Sequence, residues 1–155
     1  MDMDKSAIVI GCDHAAYRLK EAVKRFLLQQ GIGVEDVGTN GDTSVDYPDF
    51  GSKVASLVSS GTFKRGILIC GTGIGMSMVA NRFPDVRAAL CGDLFSAILS
   101  RRHNDANVLA MGARVIGEGL ALEIVKFWIE TPFAGGRHQD RIDQFNRIDT
   151  KGQRC

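Results

Sequence analysis

Long apolar runs are missing from this chain. The longest, Ala7–Ile10 and Ile67–Cys70, hold about four residues, against the ~20 that cross a bilayer and the 7–15 of a secretion signal. This predicts a cytoplasmic protein with no membrane partner. Charge of one sign is missing too: 19 Lys+Arg stand against 18 Asp+Glu, a formal charge of +1, so no broad basic surface exists for non-specific nucleic-acid binding. Any anion must be held locally. Cysteine is sparse and scattered, at Cys12, Cys70, Cys91 and Cys155; without a secretory signal, reduced thiols are the expectation. No C-x-x-C or His-x-x-x-His pair offers metal ligands at the usual spacing, so neither a metal nor another cofactor is expected. What remains is an ordinary soluble core: 155 residues, 45% hydrophobic and 24% charged, room for one domain.

Glycine is the excess, with 18 residues, and many stand where short apolar runs end. Five such runs, Ala7–Ile10, Val34–Val37, Gly66–Cys70, Arg87–Cys91 and Asn107–Met111, are bounded by Gly, Asp or Asn as buried strands are. Between the first two, Leu19, Ala22, Val23, Phe26 and Leu27 recur at helical spacing, with Lys20, Lys24 and Arg25 assigned to the other face and Gly31 as C-cap. Further helices are predicted over about Pro48–Ser60, Ile74–Arg82, Asp93–Arg102, Glu118–Glu130 and Arg137–Ile148. Strand and helix alternate, and continuously apolar strands belong in a parallel sheet covered on both faces. The predicted fold is an α/β three-layer sandwich on a five-stranded parallel sheet, with Gly38–Asp46 as one long loop beside it.

Open parallel sheets bind ligands beyond the carboxyl ends of their strands. There the first strand exits into Cys12-Asp13-His14 and the third into Cys70-Gly71-Thr72-Gly73-Ile74-Gly75. The glycines let backbone N–H groups approach an anionic oxygen. The segment is neither a dinucleotide fingerprint, since Met76 and Met78 stand where Gly is required, nor a Walker loop, since no Gly-Lys-Ser/Thr follows. Cys70 beside these amides is a candidate base, its thiolate favoured by N–H groups; it is equally readable as a small core residue. Asp13 and His103 stand in polar company open to chemistry, and each has a plainer reading, Asp13 as a cap of the following helix and His103 as a favourable cation at its helix C-terminus. Arg137-His138 with Arg141 one turn on reads as a phosphate clamp or as a solvated basic face. Taken together they supply what proton transfer beside the carbonyl of a phosphorylated small molecule needs.

These segments, with Val45-Asp46-Tyr47-Pro48, Ser100-Arg101-Arg102-His103-Asn104-Asp105-Ala106-Asn107-Val108, Met111-Gly112-Ala113-Arg114 and Gly135-Gly136-Arg137-His138, closely resemble the type B ribose-5-phosphate isomerases, a family shared with allose and galactose phosphate isomerases. The likeness runs over about residues 7–148. It implies a Rossmann-like sheet, a single sugar-phosphate isomerase domain over 1–155, and a homodimer that could pair further into a tetramer. It implies interconversion of ribose 5-phosphate and ribulose 5-phosphate through an enediolate, as in the pentose phosphate pathway. Cys70 would then be the base and Thr72 a proton relay between substrate oxygens, with the amides of Gly71, Gly73, Ile74 and Gly75 on the enediolate. Asp13 and His103 would open the sugar ring, and Tyr47 and Asn104 would position hydroxyls. His14, Arg114, Arg137 and Arg141 would surround the phosphate, with His138 close by. Met76 stands where some relatives carry a glutamate base, which places this chain on the cysteine side. The tail Thr150–Cys155 lies outside the resemblance.

Two alternatives stay open: allose 6-phosphate or galactose 6-phosphate as substrate, and a phosphosugar-binding module without catalysis. Topology adds one expectation. His103 ends a helix that feeds the fifth strand, so it should sit at the sheet edge opposite Cys70, and a two-fold dimer would be needed to bring the two together.

Overall fold

The computed structural model describes residues 7–148. Five strands, β1 (Ile8–Cys12), β2 (Val34–Asp36), β3 (Arg65–Cys70), β4 (Ala88–Leu90) and β5 (Val108–Gly112), alternate with α1 (Tyr17–Gln29), α2 (Tyr47–Ser59), α3 (Ile74–Ala80), α4 (Leu94–Asn104) and α5 (Glu118–Glu130), and α6 (Arg137–Asn146) follows. All pairings are parallel, in the order β2-β1-β3-β5-β4. The predicted architecture is therefore present, strand for strand.

Side chains of successive strand residues point to opposite faces, and this divides the core in two. Ile8, Ile10, Cys12, Ile67, Ile69, Leu109 and Met111 pack with Leu19, Val23 and Leu27 of α1 and Ala121, Ile124 and Trp128 of α5. Val9, Leu68, Cys70 and Val108 pack with Val54 and Val58 of α2 and Met76 and Ala80 of α3. Cys70 therefore points to the α2/α3 side. Chain order reverses between β1 and β3, whose neighbours β2 and β5 lie outward of them, and such a switch point opens a crevice at the carboxyl edge.

The differences from expectation are local. β1 runs two residues further than its apolar run, because pairing with β3 continues to Cys12 opposite Ile69. β2 and β4 are shorter than predicted and α3 stops at Ala80, where Asn81 turns to bond the Ala88 backbone at the start of β4. α2 begins one residue earlier, at Tyr47, and α6 ends at Asn146. A single 3₁₀ turn, His14–Ala16, precedes α1. The tail Thr150–Cys155, like Asp149, lies outside the described residues.

The clearest correction concerns Lys20, assigned to the solvent face of α1. It is fully buried, at 0% exposure, with Nζ 2.8 and 2.7 Å from the two carboxylate oxygens of Asp36 at the end of β2.

Candidate active site

The crevice is built where β1 and β3 end. Cys12 is the last residue of β1, and the next N–H, of Asp13, donates to Ile69 O of β3 at 3.3 Å, which draws Asp13 to the β3 exit. Asp13 is nearly buried, 7% exposed, and one carboxylate oxygen accepts from Ala15 N at 3.0 Å. The cap reading is thus correct, and the second oxygen is left for chemistry. His14 follows, its Nδ1 accepting from Val45 N at 3.2 Å, so its ring proton belongs on Nε2.

At the β3 exit, Cys70 Sγ accepts from Gly73 N at 3.1 Å. The turn that permits this needs Gly73, which sits at φ +79°, a region open to glycine at no steric cost. Ile74 N donates to Thr72 Oγ1 at 3.2 Å. Two of the amides expected to hold an enediolate are thus engaged with Sγ and Oγ1 here, while Gly75 N–H, in the first turn of α3, has no intrahelical carbonyl to bond. The turn is fastened to β5 by Ala113 N to Cys70 O at 2.8 Å and Arg114 N to Gly71 O at 2.9 Å.

Two long side chains close over this turn. The Tyr47 ring covers Gly75: a Cβ there would lie 2.6 Å from the ring carbons. Arg114 lies across Gly71, where a Cβ would be 3.4 Å from Nη1. Asp13, His14, Tyr47, Cys70, Thr72, the Gly71–Gly75 amides and Arg114 therefore share one edge of the sheet.

His103, Asn104, Arg137, His138 and Arg141 do not join them. His103 and Asn104 close α4 at the entry to β5, a five-residue strand whose far end is Gly112, the register partner of Cys70. At ~3.3 Å per residue that strand alone spans about 13 Å. The corner is held from the amino edge: Arg101 Nη1 donates to Asp105 Oδ1 at 2.8 Å, and Arg87 Nε, just before β4, donates to Asp105 O at 3.0 Å. The His103 and His138 rings stack with centroids 4.1 Å apart and planes 10° from parallel. Partial desolvation in that stack, with the charges of His103, Arg137 and Arg141, holds the His138 imidazole below its usual range. The second cluster is a cationic patch with two imidazoles, fit for a phosphate but remote from its own chain's thiol.

The other described cysteines are poor bases. Burial pushes the Cys12 thiol up to about 12 and the Cys91 thiol to about 11. Among the described residues no group of three His, Cys, Asp or Glu could hold a metal ion, and no helix is long and apolar enough to cross a membrane. Sequence reasoning missed the Val45 amide as a neighbour of His14 and the burial of Lys20 against Asp36. One signal was available: Ala16, Lys20, Val23 and Leu27 are spaced as one helical stripe, and Lys20 belongs to it.

Comparison with known proteins shows which family the chain is part of. The family model described as Ribose/Galactose Isomerase matches residues 8–145. Ribose-5-phosphate isomerase B of Escherichia coli is 45% identical over 144 residues, 93% of this chain and 97% of the relative. The structure of Clostridium thermocellum ribose-5-phosphate isomerase B superposes with a TM-score of 0.91 at 52% identity, covering 94% of this chain and 98% of that one. The Mycoplasma genitalium ribose-5-phosphate isomerase B, solved with bound ribulose-5-phosphate, gives 0.90 at 38% identity, over 95% and 98%. With its fold and nearly its whole length shared with these proteins, this chain belongs to the ribose/galactose isomerase family.

Proposed function

We propose that this protein is an aldose–ketose isomerase, interconverting ribose 5-phosphate and ribulose 5-phosphate through an enediolate. The observation that carries the reading is Cys70, a thiol at the switch point with an N–H donor on its sulfur, set among groups that bind anions. The Cys70 thiolate takes the proton from C2 of the open aldose, the electron pair moves into the C1–C2 bond, and the aldehyde oxygen becomes the enediolate oxygen. Return of the proton to C1, with Thr72 Oγ1 passing a proton between O1 and O2, gives the ketose. Backbone donors such as Gly75 N–H stabilise the developing charge, each worth ~2.7–4 kcal/mol in comparable sites. Asp13 takes part in ring opening, and Tyr47 positions a sugar hydroxyl.

The remaining roles need a second copy. His103, as ring-opening acid, Asn104 and the Arg137/His138/Arg141 patch sit at the far edge of their own sheet, so we assign them to the crevice of a partner in a two-fold homodimer. One domain per chain supplies both halves. Free thiols at Cys12, Cys70 and Cys91 and a phosphorylated substrate suit the cytoplasm.

Incubation with ribose 5-phosphate and assay for ribulose 5-phosphate, repeated with allose 6-phosphate and galactose 6-phosphate, tests the activity. Turnover of none of the three leaves a binding module instead. The shared site is tested by refolding Cys70→Ala and His103→Ala subunits together. Random pairing makes roughly half the dimers hybrids, each with one intact site of two, so activity should recover to about a quarter of wild type. Hybrids that form without recovery place both residues in one chain.

A further inference from the structure

Lys20 is a fully buried cation with no contact to the crevice. Besides both Asp36 oxygens, its Nζ reaches Thr39 O at 2.8 Å and Asn40 Oδ1 at 3.2 Å. Glu21 lies 3.3 Å away, the Tyr17 ring centroid 5.5 Å, and Lys24 shares Asp36 Oδ2 at 3.0 Å. This saturates a group that has three protons to give. Two of its four acceptors belong to the start of the loop 38–46, and the same place is fastened to β1: Cys12 N donates to Gly38 O at 2.6 Å, and Thr39 N to Cys12 O at 2.8 Å. Asp36 Oδ1 also accepts from Gly38 N at 3.0 Å. The far end of the loop meets the 3₁₀ turn after β1 through the hydrogen bond from Val45 N to His14 Nδ1, two residues before Tyr47.

We propose that Lys20 is a positioning residue for the substrate phosphate: by clamping the root of the 38–46 loop it holds Val45 N–H against His14 Nδ1, and so keeps the His14 proton on Nε2, ready to donate to an anion. The inference rests on the phosphate role given to His14 under the proposed function. A methionine at position 20 fills the same volume but gives Thr39 O and Asn40 no donor, so the root loosens and the Val45 contact with it. The loop then has no fixed register against the 3₁₀ turn that carries His14.

The test uses ¹⁵N-histidine labelling of the whole chain, which has three histidines, with His14 assigned by its loss in His14→Ala. In the wild type, Nδ1 and Nε2 of His14 should resonate far apart, the signature of one neutral tautomer. In Lys20→Met and in Asn40→Ala they should move toward each other as the tautomers mix. KM for ribose 5-phosphate should rise about tenfold in Lys20→Met, as for loss of one hydrogen bond to a charged group, and about threefold in Asn40→Ala, with kcat within about twofold. Combined with His14→Ala, neither substitution should raise KM further, because both act through that ring. His14 shifts that stay as in the wild type, or KM increases that add in full to that of His14→Ala, overturn the inference. Asn40 is exposed, so its variant decides the matter if Lys20→Met does not fold. If the wild type turns over no ribose 5-phosphate, the proposed function fails, and the His14 shifts still decide whether Lys20 sets the tautomer.

Discussion

An alanine at Gly112 measures how closely the catalytic turn depends on β5. A Cβ there would stand 2.6 Å from both the carbonyl carbon and the oxygen of Thr72, and 2.8 Å from its Cα. These are backbone atoms, and no rotamer change removes them. Carbon contacts relax near ~3.5–4.0 Å, so about 1 Å must come from parting the turn from the end of β5. The hydrogen bonds from Ala113 N and Arg114 N to Cys70 O and Gly71 O oppose that movement. Overpacking of this kind costs about 1–3 kcal/mol, and at roughly 2–4 °C per kcal/mol for a chain of this size Tm should fall by about 2–12 °C. Activity should fall further, since a misplacement of about 1 Å can cost ~10²-fold. Gly75→Ala is the control. Its Cβ would meet the Tyr47 ring at 2.6 Å, but that side chain is 39% exposed and can swing outward. Alanine also suits a helix better than glycine, by ~0.5–1 kcal/mol. Its Tm should stay within a few degrees of wild type while KM rises. Thermal melts and kcat/KM on both variants check this, and a Gly112→Ala protein with wild-type Tm and rate refutes the idea that contact with β5 sets the turn.

Cys70→Ala should lose ~10²–10⁴-fold in the exchange of the C2 proton, followed by NMR in D₂O, while melting temperature and phosphate-ligand binding persist; a variant that keeps most of its rate would reassign the base. EDTA should leave activity unchanged, because amides and arginines face the charges that form; loss of activity restored by a divalent ion would contradict this. Acid stability should report the Lys20 clamp. Burial pushes the Asp36 carboxyl up, but hydrogen bonds from Lys20, Lys24 and Gly38 N–H outweigh it and hold the group below its usual range. Its contribution is therefore present above the unfolded value of ~3.9 and lost as pH falls through the lower folded value. Asp36→Asn should be destabilised at pH 7 and converge on wild type in acid, as urea melts across that range would show.

The fold was legible because buried parallel strands need unbroken apolar runs, and Gly66–Cys70 or Asn107–Met111 has no other good use. Helix faces were legible where the stripe was wholly apolar, as with Leu19, Val23 and Leu27. Lys20 was not, because its charge argues for solvent and its partner, Asp36, arrives from a strand end sixteen residues away. The candidate site was legible in kind at Cys70-Gly71-Thr72-Gly73, where the glycines have a backbone reason. Which amide donates to which atom was not, since the Gly73 bond to Sγ depends on a left-handed turn that spacing alone does not specify. The opposite placement of His103 did follow from sequence, because a helix between parallel strands must end at the amino edge. Its stack on His138 did not, for it joins two helices separated by a strand and α5.

The sheet order also governs how these molecules can meet. Both edge strands, β2 and β4, are three residues long, and β2 carries Glu35 and Asp36. Edges so short, one of them acidic, offer little template for a foreign strand, a common safeguard against fibrous or amorphous aggregation. Extension of the sheet through its backbone from one copy into the next is therefore disfavoured. Short edges favour association through helices and loops, surfaces that recognise one another by side-chain shape and charge, and those are the surfaces on which a thiol at one edge and an imidazole at the other could be matched between two chains without joining their sheets.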